Sequence, residues 1–153
     1  MSLAYLIPLC PLLGFLINGL FRKKLSKTAA GLIGVSVVLF AFILSVYVFV
    51  DVKQHGSSVI NYFDFISIKG LRIPFAFQID QLTVIFLLII TGVGLLIHIY
   101  SIAYMHEESA PDFAKYFAYL NLFIFSMLLL VMGANYVIAF IGWEGVGLCS
   151  YLL

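Results

Sequence analysis

The sequence predicts an all-α membrane protein of about five transmembrane helices, with a short β-hairpin between the second and third. Three observations carry this expectation. Of 153 residues, 64% are hydrophobic and 10% charged, against about 45–50% apolar and about 25% charged in soluble domains, so most of the surface must face something other than water. Four long stretches contain no Asp, Glu, Lys or Arg: Met1 to Phe21, Thr28 to Val50, Gln81 to His106 and Tyr116 to Trp143. Between the second and third of these, the apolar pattern changes to a period of two. The composition excludes a secreted domain, a nucleic-acid binder and an ordinary cytosolic enzyme, and the net charge of +1 is too small to indicate a polyanionic partner.

A spanning helix needs about 20 predominantly apolar residues, which places helices at about 3–20, 29–50, 82–104, 116–132 and 136–153. The first does not read as a signal peptide, because Arg22, Lys23, Lys24 and Lys27 follow the apolar run instead of preceding it. That cluster also orients the chain: positive loops stay cytoplasmic, so the amino terminus faces the opposite side. Alternation from there leaves Lys115 on the cytoplasmic side and Lys53, Lys69 and Arg72 on the other. From Tyr116 to Leu153 the only charged residue is Glu144. One continuous helix of that length would extend about 57 Å, nearly twice the hydrocarbon thickness of about 30 Å, so the chain must fold back. Gly133-Ala134-Asn135 supplies the break, since Gly and Asn tolerate the left-handed conformation at a helix end.

In the segment before the third helix, Leu71, Ile73, Phe75, Phe77 and Ile79 alternate with Arg72, Pro74, Ala76, Gln78 and Asp80, the period of a half-buried strand. Tyr62 to Ile68 is rich in strand formers and Lys69-Gly70 can turn the chain. A hairpin over about 62–79 follows, with Pro74 confined to an edge or a short pairing.

Glu144 is the residue that physical chemistry singles out. It falls mid-helix, where an acidic side chain costs about 2.5–3.5 kcal/mol on insertion scales, taking Glu as similar to Asp. Val137, Ile138, Phe140, Ile141, Val146, Leu148, Leu152 and Leu153 each return only about 0.3–0.6 kcal/mol, so the balance is near zero. The helix is expected to turn Glu144 toward a polar interior, with Gly142, Gly145 and Gly147 letting neighbours approach closely. Burial raises a carboxyl pKa and a nearby cation lowers it, so a buried Glu with a movable Lys partner can exchange a proton near neutral pH. The alternative is a permanently protonated Glu that only hydrogen-bonds between helices.

Other candidates are weaker. His98, with Ser101 three residues on, fits either a proton relay or an interfacial or packed histidine near the cytoplasmic helix end. Asp80 precedes an apolar helix and can cap the amides of Leu82 and Thr83. His106, Glu107, Glu108 and Asp112 read as a solvated loop, and Cys10 and Cys149, inside apolar runs, as inert buried thiols.

Taken together, Tyr104-Met105 before an acidic loop, Tyr119-Leu120-Asn121-Leu122-Phe123, and Gly142-Trp143-Glu144-Gly145-Val146-Gly147-Leu148-Cys149-Ser150-Tyr151-Leu152-Leu153 closely resemble subunit L, the ND5-type antiporter-like subunit of respiratory NADH:quinone oxidoreductase (complex I). Phe77-Gln78-Ile79-Asp80-Gln81-Leu82-Thr83 and Ile99-Tyr100-Ser101 match as well. Related cation/proton antiporter subunits keep the Trp-Glu pair but differ around it. The resemblance implies that residues 1–153 are the amino-terminal part of a much longer, proton-translocating membrane-arm subunit. It implies that Glu144 pairs with a lysine on a later helix and modulates its pKa. FMN, iron-sulfur clusters, NADH and quinone would be handled by other subunits, with no cofactor in this chain. The implied partners are other membrane-arm subunits, including a neighbouring antiporter-like subunit, and the lipid bilayer. The implied location is the bacterial inner membrane, or alternatively the mitochondrial inner membrane. The competing functions are a structural or assembly role in which helices pack without moving protons, and a part in a related cation/proton antiporter.

Overall fold

The computed structural model describes residues 3–68 and 70–153. Five helices and one hairpin follow in the order α1 (Leu6–Leu20), α2 (Lys27–His55), β1 (Ser58–Ile68), β2 (Leu71–Ile79), α3 (Gln81–Tyr104), α4 (Ala110–Met132) and α5 (Tyr136–Leu152). The expected architecture is therefore present, with shifted boundaries. Three helices, α2, α3 and α4, are long and apolar enough to cross a membrane, while α1 and α5 are shorter. Helix α1 starts at Leu6 instead of Leu3, and its 15 residues cover only about 23 Å. Pro11 lies inside it and cannot donate to the carbonyl one turn back.

Two helices outrun the charge-free gaps, because a helix continues past the hydrocarbon wherever its end is satisfied by polar groups. Helix α2 runs five residues beyond Val50, where Asp51 and His55 pair at 3.0 Å and Lys53 and His55 sit in the last turn, favourable to the helix dipole. It stops at Gly56, whose φ of 82° is open to glycine but strained for other residues. Helix α4 begins at Ala110, six residues before the expected start. Ser109 caps it, accepting from the Asp112 amide, with Pro111 in the first turn, a position where the missing N–H costs nothing.

Helix α4 is the hub, packing against α1, α2, α3 and α5. Its buried residues, among them Phe113, Phe117, Asn121, Ile124, Leu128 and Met132, recur every three or four residues along one broad face, the stripe that a helix turns to its neighbours. At one end of the bundle the Lys27 ammonium donates to the His106 carbonyl at 2.9 Å, which joins the 21–26 and 105–109 connections. At the other end sits the hairpin.

Strands β1 and β2 pair antiparallel from Ser58↔Ile79 to Ile68↔Leu71, with irregularities between Asn61 and Phe63 and between Asp64 and Ile66. The hairpin thus starts four residues earlier than expected. Pro74 faces Asp64 beside one of these irregularities. In a two-stranded sheet both strands are edges, so its missing donor is tolerated. Of the expected Lys69-Gly70 turn, Lys69 lies outside the described residues; Gly70 has a φ of 91°. Tyr62 meets Tyr5 and Phe77 edge-on at 6.2 and 5.3 Å, seating the hairpin on the start of α1. Burial and the neighbouring Tyr5 push the Tyr62 hydroxyl pKa up.

The α4–α5 break falls where expected, but by another mechanism. Gly133 has φ −58°, ψ 119° and Asn135 has φ −143°, ψ 163°, so neither is left-handed. The chain is instead held by the hairpin: the Ala134 amide donates to the Ala76 carbonyl at 3.0 Å, and the Asn135 side chain donates to the Pro74 carbonyl at 2.7 Å. Asn135 also caps α5, accepting from the Ile138 amide at 3.1 Å. Gly133 is required sterically, since a Cβ there would lie 2.8 Å from the Ala139 nitrogen.

Candidate functional site

Helix α5 buries Ile138, Gly142 and Cys149, which defines the side it turns to α4. A Cβ on Gly142 would meet backbone, 2.8 Å from the Ser126 carbonyl oxygen, and one on Gly145 would come 2.5 Å from the Ser126 hydroxyl. These two glycines permit the close approach expected of them, the arrangement by which small residues let membrane helices touch. Gly147 does not take part: nothing among the described residues lies within 4 Å of its Cβ position.

Two residues along a helix rotate the side chain by about 200°, so Glu144 points away from the Gly142 contact. It is exposed, as are Phe140, Trp143, Gly147, Leu148 and Tyr151. Within residues 3–153 Glu144 therefore does not face a polar interior, contrary to the expectation from its insertion cost. The contact side of α5 is occupied by α4 through backbone, leaving no room there for a carboxylate.

His98 is fully buried, a packed residue and not an interfacial one. Its Nδ1 lies 2.7 Å from the Gly94 carbonyl oxygen. A carbonyl only accepts, so Nδ1 donates, while Nε2 has no hydrogen-bond partner among the described residues. The ring meets Phe117 of α4 edge-on at 6.0 Å. Ser101 shares the buried face but pairs with the Tyr116 hydroxyl at 3.3 Å, so the two are not joined as a relay. What the sequence reading missed is Asn121, also fully buried. Its amide donates to the Phe117 carbonyl at 3.0 Å, wedged where Cβ atoms on Gly14 and Gly34 would come within 3.1 and 3.3 Å of it. An Asn inside the charge-free gap was the available signal.

Asp80 is the cap of α3. Its Oδ1 accepts from the Thr83 amide at 2.7 Å and its Oδ2 from the Gln78 side chain at 3.0 Å. The Thr83 hydrogen bond, first among the causes, holds its pKa below the ordinary carboxylate value. Cys10 and Cys149 are free and buried. His106, Glu107, Glu108 and Asp112 are exposed, as expected, although Asp112 belongs to the first turn of α4.

With this geometry in view, comparison with known proteins is decisive. The chain is 39% identical over its whole length to NADH-quinone oxidoreductase subunit L of Neisseria meningitidis serogroup B, spanning 23% of that protein. It is 43% identical over 96% of its length to NADH-ubiquinone oxidoreductase chain 5 of Podospora anserina, spanning 22% of it. The chain is thus similar along nearly all of its length to these subunit L and chain 5 proteins, and spans less than a quarter of either. The family model of the NADH-ubiquinone oxidoreductase (complex I) chain 5 N-terminus matches residues 65–117, from the hairpin through α3 to the first turns of α4. Identity reaches 58% over 91 residues with subunit L of Mycobacterium tuberculosis. As relatives of membrane complex I subunits, these 153 residues and their three long apolar helices are those of a membrane protein.

Proposed function

We propose that the chain is part of a proton-translocating subunit of the membrane arm of NADH:quinone oxidoreductase, coupling electron transfer from NADH to quinone to proton pumping. The observation that carries this reading is Glu144, the only charged side chain between Tyr116 and Leu153, presented on the side of α5 turned away from α4. A carboxylate at membrane depth is costly unless it finds a partner. A lysine on a helix beyond Leu153 supplies that partner, and the pair exchanges a proton because each charge sets the proton affinity of the other. Electron transfer through FMN, iron-sulfur clusters and quinone belongs to other subunits of the assembly. The partners of this chain are other membrane-arm subunits, a neighbouring antiporter-like subunit among them. His98 serves packing between α3 and α4 in this reading, and Asp80 serves as a cap.

The test is Glu144→Gln in the full-length subunit, with proton pumping in reconstituted vesicles measured beside the amount of assembled complex. Gln keeps the shape and the hydrogen-bonding capacity but removes the titration, so pumping falls while assembly survives. Normal pumping with this variant overturns the electrostatic role. A nearly silent Gln variant combined with loss of assembly in Glu144→Ala supports the structural alternative, in which the residue only joins helices.

A further inference from the structure

We propose that the groove between the start of α2 and the end of α3 binds an anionic phospholipid. The groove holds about 340 Å³ and is lined by Lys27, Thr28, Gly31, Leu32, Ile102, His106 and Phe113. Its lower walls are apolar: Leu32 is 63% exposed, and a Cβ on Gly31 would stand 3.3 Å from Ile102. Its rim is cationic and rich in donors. Lys27 spends one ammonium proton on the His106 carbonyl and keeps two. The exposed Thr28 adds a hydroxyl. Ser26 accepts from the Ala29 amide, while the amides of Lys27 and Thr28, in the first turn, have no acceptor within their own helix.

Arg22, Lys23 and Lys24, all exposed, precede this rim in the 21–26 connection. The opposing carboxylates are Glu107, Glu108 and Asp112, none of which lines the groove, and Asp112 is engaged with Ser109. A phosphate therefore meets a positive helix end, a lysine and a hydroxyl at one level, and an acyl chain lies directly below against Leu32, Ile102 and Phe113. Basic recesses between helices at a membrane face have this complementarity to anionic head groups. The apolar continuation selects a phospholipid over free phosphate.

The experiment uses the full-length protein in its native assembly, reconstituted into phosphatidylcholine vesicles containing phosphatidylglycerol, whose anionic head groups give the surface a negative potential. One arm carries phosphatidylglycerol with a photoreactive group on its acyl chain, the other phosphatidylcholine with the same chain. Labelled peptides covering residues 27–35 and 102–113 are expected from the anionic probe in preference to the zwitterionic one. Lys27→Gln is expected to lower that labelling about fivefold, the factor for one lysine near an anionic surface, with labelling at the lipid-facing Ile89 unchanged. Excess inorganic phosphate is expected not to compete. Equal labelling by both probes, labelling indifferent to Lys27→Gln, or displacement by phosphate alone each overturns the proposal. So does a protein subunit occupying the groove in the assembly.

Discussion

Gly142 and Ser126 bring α5 and α4 into backbone contact: a Cβ on Gly142 would stand 2.8 Å from the Ser126 carbonyl oxygen and 2.7 Å from the Leu130 Cα. Backbone cannot move aside as a side-chain tip can, so Gly142→Ala must push the two helices apart. Overpacking of this kind costs about 1–3 kcal/mol. Because Glu144 is carried on the same helix, the variant should lower both the thermal stability of the full-length protein and its pumping. Gly19→Ala is the control. Its Cβ would lie 3.9 Å from Ala118, an ordinary contact, and the gain in helix propensity should leave stability unchanged or raised by up to about 1 kcal/mol.

Removal of the α3 cap by Asp80→Ala should cost about 1 kcal/mol, with Asp80→Asn milder because an amide oxygen still accepts from Thr83. The pKa of Asp80 is depressed in the folded protein, so its contribution is fully present above the ordinary carboxylate value. It is lost as pH falls below that value and through the depressed one. Hydrogen exchange at the Thr83 and Val84 amides, followed from pH 6 downward, should accelerate only at the acid end. Equal acceleration in wild type and Asp80→Asn would remove the cap as its cause.

The His98 and Asn121 side chains are fully buried polar groups on α3 and α4, each bonded to a carbonyl of its own helix. Neither His98 Nε2 nor Asn121 Oδ1 has a hydrogen-bond partner among the described residues, and replacing both members of such a buried polar set by apolar groups of similar shape can be nearly neutral or stabilising. His98→Phe combined with Asn121→Leu should therefore cost less thermal stability than the sum of the two single changes, a coupling that a double-mutant cycle reads directly. Strict additivity would mean that the two side chains act independently.

The two ends of the bundle should lie on opposite sides of the membrane. A cysteine at Ser57 beside the hairpin should react with an impermeant reagent from outside, and one at Lys23 only from the cytoplasmic side, since Lys/Arg-rich connections stay cytoplasmic. The native Cys10 and Cys149 are buried and should give little background. Labelling of the Ser57 variant from the cytoplasm would reverse the orientation.

Hydropathy gaps, the period-two run and the Gly-Ala-Asn interruption are properties of neighbouring residues, so element number, element type and the fold-back at 133–135 could be read from sequence alone. Glu144 stood out in the same way, as a charge in a long apolar stretch. Helix ends could not, because α2 and α4 extend into polar residues held by the Asp51–His55 pair and by the Ser109 cap. Nor could the conformation of the α4–α5 break, which is set by hydrogen bonds to Pro74 and Ala76 about 60 residues earlier in the chain. The burial of Asn121 and the outward face of Glu144 depend on which helix approaches which. That choice is made by steric fit at Gly14, Gly34 and Gly142. A glycine in a sequence shows that an approach is possible, and only the packed structure decides which partner fills the space and which side of the helix it leaves free.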